Sequence, residues 1–137
     1  MPALPSSSSS LLIRTAFADV AAWNRVAAEA QAGNVDGFRA ELQLIDDPVW
    51  GNCPWEELRD ASHAAGSEAR VLFVVDHQAL APEHPILVVD LSEEENPPFR
   101  CVASQLWGVE NNLHLANMDW IDFAQHTDAD GTFRDFP

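Results

Sequence analysis

The sequence predicts a single α+β domain: a mixed sheet with an antiparallel meander of buried strands flanked by helices, in the order β-α-β-α-β-β-β-α-α. Three observations predict it. Val71–Val75 (VLFVV) and Ile86–Val89 (ILVV) are continuous apolar runs, each followed by Asp, as in strands covered on both faces. The nine residues between Asp76 and Ile86 include Pro82 and Pro85 and are too few for a parallel crossover, which takes about a dozen or more, so the two strands pair antiparallel. Helical periodicity flanks this meander, and 137 residues provide for one core.

Met1–Ser10 (MPALPSSSSS) is a Pro/Ser-rich stretch with little to bury, which predicts a disordered tail over 1–10 and an ordered domain over 11–137. Leu11–Phe17 reads as a strand. Asp19 is placed to cap a helix whose apolar stripe is Trp23, Val26, Ala27 and Ala30, at i, i+3, i+4 and i+7. Gly33-Asn34 supplies a helix stop. Phe38–Ile45 (FRAELQLI) alternates apolar and polar residues, which predicts a strand with one wet face, and Asp46-Asp47-Pro48 ends it. Pro54 suits the first turn of a second helix carrying Trp55, Leu58, Ala61, Ser62 and Ala65, closed at Gly66. After the two buried strands, Phe99–Val102 forms another. Leu106, Val109, Leu113 and Ala116 hold helical spacing, and Asp119 can cap a last helix bearing Trp120, Phe123 and Ala124.

Composition excludes more chemistry than any motif includes. Twenty-two acids face seven basic residues, all Arg, for a formal net charge of −15. Such a charge repels phosphate backbones and anionic lipid, so nucleic acid and membrane are not expected partners; it is compatible with a basic protein, with a small-molecule ligand of cationic character or with a metal ion, and the bland reading is that acidity serves solubility alone. The sequence has neither Lys nor Tyr. Schiff-base, P-loop and Tyr acid/base chemistry are thereby removed. Cys53 and Cys101 have no CxxC spacing and cannot make a four-ligand zinc site, so no metal and no cofactor are expected. The first residues hold no basic cluster and no apolar run of signal-peptide length, which makes the cytoplasm the expected compartment, with both thiols reduced.

The segment Trp107–Asp119 (WGVENNLHLANMD) concentrates polar residues in a helix and its exit. Asn disfavours helix interiors, because its amide competes for nearby backbone groups, and local rules are often broken at functional sites. Glu110, His114 and Asn117 stand at i, i+4 and i+7, and a Glu–His pair at that spacing raises imidazole basicity, as a general base requires. Glu110 and His114 are therefore the catalytic candidates; Trp107, Asn111, Asn112, Asn117 and Asp119 are the ligand- or partner-binding candidates. The expectation is that Glu110 and Asn111 are exposed and free to act, with Asn117 structural. The bland reading is a surface ion pair with asparagines buttressing a loop. Asp76 and Asp90 would lie at opposite sheet edges and could not form a two-carboxylate site. Asp128-Ala129-Asp130-Gly131 lacks the frame of a calcium loop and reads as a turn. His63, His77, His84 and His126 show no evident partner. Trp23, Trp55 and Trp120 are core candidates, whereas Trp50 and Trp107 could line a pocket.

Three stretches also carry a resemblance: Leu11-Leu12-Ile13-Arg14-Thr15 with Ala22-Trp23; His84–Leu91 (HPILVVDL); and above all Leu106–Asp119, in which the pattern LW-x-VENNL-x-LANMD is the most specific. From Leu11 to Phe136 the chain resembles an uncharacterised domain family of actinobacterial type. The resemblance implies a coherent fold and no mechanism. His114 stands where that family more often has a small polar residue, which shifts weight from His114 to Glu110, Asn111, Asn112, Asn117 and Asp119. The resulting expectation is a small acidic binding or interaction protein that neutralises a basic partner. The alternative is a cofactor-independent acid/base enzyme of isomerase, hydratase or cyclase type.

Overall fold

A computed structural model describes residues 3–136. Its sheet has six strands: β1 (Ser10–Arg14), β2 (Leu42–Ile45), β3 (Val71–Val75), β4 (Pro85–Asp90), β5 (Phe99–Val102) and β6 (Thr132–Phe133), in the spatial order β2-β1-β3-β4-β5-β6. The helices are α1 (Val20–Gln31), α2 (Trp55–Ala64), α3 (Leu106–His114) and α4 (Trp120–Ala124). β1 runs parallel to both β2 and β3, β3–β4 and β4–β5 are antiparallel, and β6 closes the far edge parallel to β5. The meander is thus antiparallel as its short connection required, and the domain is α+β with a mixed sheet.

The two-residue period of the strands divides the core into two layers. Leu12, Val71, Phe73, Val75, Ile86 and Val88 pack with α1, α3 and α4 on one face, whereas Leu11, Ile13, Leu72, Val74 and Val89 pack with Leu58 of α2 and Trp50 on the other. β3 is buried along its whole length, which accounts for its unbroken apolar run. Asp19 caps α1 as its position demands, its carboxylate accepting from the Ala22 N–H at 3.0 Å. At α4 the Asp122 carboxylate reaches back to the Asp119 N–H at 2.8 Å.

Several local expectations are corrected. Strand structure begins at Ser10, and Leu4, only 4% exposed, is buried against the α2 face of the sheet. The Ser7 carbonyl accepts from the Glu68 N–H and the Ser67 hydroxyl, both at 3.2 Å, so residues 3–9 are docked along the loop after α2 rather than disordered. Met1 and Pro2, the rest of that tail, and Pro137 lie outside the described residues. The alternating stretch 38–45 is strand only from Leu42: the Asn34 side-chain oxygen accepts from the Asp36 and Phe38 N–H groups, both at 2.9 Å, holding a turn that leaves Phe38 exposed. α1 stops at Gln31, before Gly33-Asn34, and Pro54 caps α2 instead of entering its first turn. α3 ends at His114, with Ala116 at φ 56°. Trp50 is 5% exposed and belongs to the core.

Candidate functional site

Leu106, Val109 and Leu113 place α3 on the sheet, and Glu110 occupies the remaining position of the same inward stripe, at i+4 from Leu106. Its side chain is 1% exposed. Oε1 accepts from the Glu41 N–H at 2.8 Å and the Asn111 amide at 3.2 Å, and Oε2 accepts from the Ser10 hydroxyl at 3.0 Å. One carboxylate therefore ties α3 to the start of β1 and to the segment entering β2. The Asn111 amide strengthens the same seam, donating to the Arg39 carbonyl at 2.8 Å. The Ser10 hydroxyl is buried and must find an acceptor, and the same carboxylate takes the part-buried Glu41 and Asn111 donors as well.

The expected exposures are consequently reversed. Glu110 is buried and Asn111 half-buried with its amide engaged, while Asn117 is exposed. Asn117 lies beyond the end of α3, so it does not share a helical face with Glu110 and His114. Asn112 donates to the Gly108 carbonyl at 2.8 Å, and its own carbonyl accepts from the Asn117 N–H at 2.9 Å, closing the helix end. Asp119 opens α4 through the backbone bond already described. Trp107 is half-buried and stacks on Phe38, ring centroids 6.3 Å apart at 18°. The His114 Nδ1 stands 4.0 Å from Glu110 Oε2, outside hydrogen-bonding range, and has no hydrogen-bond partner among the described residues. A depression of about 380 Å³ beside these groups is lined by Phe38, Arg39, Glu41, Glu110, Asn111 and His114 among others; Trp107 does not line it.

The other sequence candidates resolve into structural roles. Asp76 accepts from both terminal nitrogens of Arg100, at 3.0 and 2.7 Å. Asp90, at the opposite end of the meander, accepts from the Ser92 and Glu93 N–H groups and the Asn96 amide. Asp128 and Asp130 form a turn clamped by Arg134, which also reaches Glu83. Burial, and then a hydrogen bond to Glu57, push the Cys53 thiol up to about 11, and burial pushes Cys101 higher still, so neither is disposed to act as a thiolate nucleophile.

Two features escaped the sequence reading. A second depression, also about 380 Å³, lies at the C-terminal ends of the parallel strands and is lined by Thr15, Phe17, Pro48, Asn52 and His77 among others. Its signal was the pair of helical crossovers around β1, whose parallel neighbours on both sides create the kind of switch point where open sheets bind ligands. The other feature is the distribution of acids. Asp46 meets Arg14 at 3.1 Å, Asp76 meets Arg100, and Glu83, Asp128 and Asp130 share Arg134. By contrast Glu56, Glu57 and Asp60 of α2 and Glu93, Glu94 and Glu95 after β4 are all exposed. These two stretches adjoin, with the His63 Nδ1 3.6 Å from Glu94 Oε1. Arg59, 3.8 Å from Asp60, is the one guanidinium paired with any of these six acids among the described residues.

No helix among the described residues is long and apolar enough to cross a membrane. No curated protein matches the chain. A family model described as a domain of unknown function (DUF6924) matches residues 9–136, and that span includes every strand, every helix and both depressions. The chain belongs to that family.

Proposed function

We propose that the protein is a small acidic binding protein that engages a basic partner through the face formed by α2 and the loop after β4. One observation carries this reading: six exposed carboxylates stand on α2 and the loop after β4, which meet at Asp60, His63 and Glu94, and Arg59 is the one guanidinium paired with any of them among the described residues, while Arg14, Arg100 and Arg134 between them pair Asp46, Asp76, Glu83, Asp128 and Asp130. Uncompensated charge of one sign on one face raises encounter rates with a cationic partner and repels anionic ones. The chemistry of α3 supports the same reading from the other side. A carboxylate 1% exposed and held by three donors is built as a fastening, its oxygens already engaged where a general base would need one free. The acid/base alternative rests on the unpartnered His114 Nδ1 and the depression beside it. The cytoplasm as compartment, the actinobacterial type and LW-x-VENNL-x-LANMD as the family's signature belong to the same proposal.

An oligo-arginine peptide is the probe. Association with the wild type should slow steeply between low and physiological salt, because exposed charge is screened within about 8 Å at 0.15 M. Neutralising Glu93, Glu94 and Glu95 to Gln should weaken binding by about tenfold more than the isocharged control Glu29→Gln/Asp36→Asn/Asp135→Asn, a difference of about 1.4 kcal/mol. Equal weakening by the two triples would reduce the effect to net charge and remove the face from the proposal.

A further inference from the structure

We infer that Asp60, His63 and Glu94 form a site for a divalent transition-metal ion of the zinc class. The inference goes beyond the binding function and does not depend on it. One potential ligand atom from each residue lies within 4.8 Å of the other two. Asp60 and His63 stand three apart on α2, on one face of the helix, and Glu94 comes from the loop after β4, so two separate elements converge on one point.

The imidazole is oriented from outside the triad. His63 Nε2 lies 3.0 Å from the Leu91 carbonyl oxygen. A carbonyl only accepts, so Nε2 carries the proton, and in the neutral ring the lone pair is left on Nδ1. Nδ1 is the atom that faces Glu94, 3.6 Å from Oε1. Metal-binding histidines characteristically donate their second ring N–H to a carbonyl or carboxylate in this way, which fixes the tautomer and the ring plane. Here Leu91, the residue that follows β4, supplies that acceptor.

Distance and charge fit the same ion. A separation of 3.6 Å is longer than a hydrogen bond between charged partners, which is about 2.7–2.9 Å. It is close to the roughly 3.3–3.5 Å between neighbouring ligands about a tetrahedral zinc with bonds near 2.0–2.2 Å. Asp60 closes the set by a side-chain rotation, which its exposure permits. Two carboxylates and one neutral imidazole balance a divalent cation, and Glu93 and Glu95 beside them raise its local concentration. Arg59 competes weakly for one oxygen of Asp60, at 3.8 Å, while its guanidinium is also held over the Trp55 ring. One nitrogen with two oxygens suits zinc-like ions better than calcium or magnesium, which take more oxygens. Three protein ligands leave a position for water, and the bound ion would pin the end of α2 to the β4–β5 loop.

The test uses the full chain and zinc alone, in a weakly coordinating buffer at neutral pH. Calorimetry should show one zinc per chain, and zinc should move the His63 Nδ1 resonance in nitrogen NMR while Nε2 stays protonated. His63→Ala and Glu94→Gln should each weaken zinc binding by about tenfold or more, since even residues supporting a ligand cost about 10–100-fold. Glu93→Gln, which removes the same charge from the same loop, should change affinity by less than about threefold. The inference is overturned if His63→Ala binds zinc as the wild type does, if Glu93→Gln and Glu94→Gln weaken it equally, or if millimolar zinc leaves the Nδ1 resonance unmoved. Loss of zinc binding alone would leave the oligo-arginine result standing, so the two proposals fail separately.

Discussion

Glu110 and Glu94 carry the same carboxylate into opposite surroundings. Glu110 lies within a helix stripe otherwise made of Leu106, Val109 and Leu113, is 1% exposed and accepts from three donors belonging to three parts of the chain. Glu94 stands on an exposed loop among other acids, near an imidazole that does not hydrogen-bond to it. Sequence spacing favoured Glu110 as the reactive acid, because it has a His four residues on. Burial reverses that: the acid whose acceptors are taken up holds the fold, and the acid without a close donor is open to bind something.

The largest expected effect tests that contrast directly. Glu110→Ala should destabilise the protein by about 3 kcal/mol or more, because the buried Ser10 hydroxyl and the part-buried Glu41 N–H lose their acceptor, at about 1–3 kcal/mol for each bond left unmade. In a domain of this size that is a fall in melting temperature of roughly 10 °C. Glu94→Gln should stay within about 0.5 kcal/mol of the wild type, as surface substitutions do. Similar melting temperatures for the two variants would break the comparison and make Glu110 available again as a general base.

A second effect, about 2–4 kcal/mol, is expected from Leu4→Ala, the usual range for a buried Leu whose pocket does not collapse. Leu4 packs in the same layer as Leu11, Trp50 and Leu58, although everything around it in sequence is Pro, Ser or Ala. Removing residues 1–9 should cost at least as much. A deletion that shifted the melting temperature by less than about 2 °C would show that the docking of residues 3–9 contributes little, and would restore the disordered tail.

The parts of the fold legible in sequence are those decided by neighbours in the chain. The runs in β3 and β4, the Asp19 cap and the Trp23–Ala30 stripe each state their structure within a few residues, and the short, proline-containing link between β3 and β4 dictates their antiparallel pairing. What was not legible depends on distant partners. Leu4 is buried because the loop at Gly66–Ala69 holds residues 6 and 7, some sixty positions away. β6 is two residues long and exists as a strand through β5. Glu110 could have been suspected, since it fills an apolar-stripe position, but the donors that justify it come from Ser10 and Glu41. The acidic face was hidden for the same reason: composition counts acids, and only the fold shows which ones the seven arginines reach.

Asp130 supplies the intermediate case, an exposed acid that does have its arginine, and it carries the smallest expected effect. Hydrogen bonds from Arg134 hold its carboxyl down to about 2, below the ordinary value near 3.9. A carboxylate whose value is lowered by folding contributes stability that is fully present above the unfolded value and is lost as pH falls through the folded one. The contribution of this pair therefore persists at neutral pH and fades between about pH 4 and pH 2. It is small, because both side chains remain in solvent. Carbon NMR of the Asp130 carboxyl should show a midpoint near 2, returning to the ordinary carboxylate range in Arg134→Ala, and the melting-temperature difference between wild type and Asp130→Asn should shrink across that acid window. A midpoint near 3.9 in the wild type would mean that the Arg134 clamp does not persist in solution. Asp130 would then count, like Glu94, among the acids free to meet a cation.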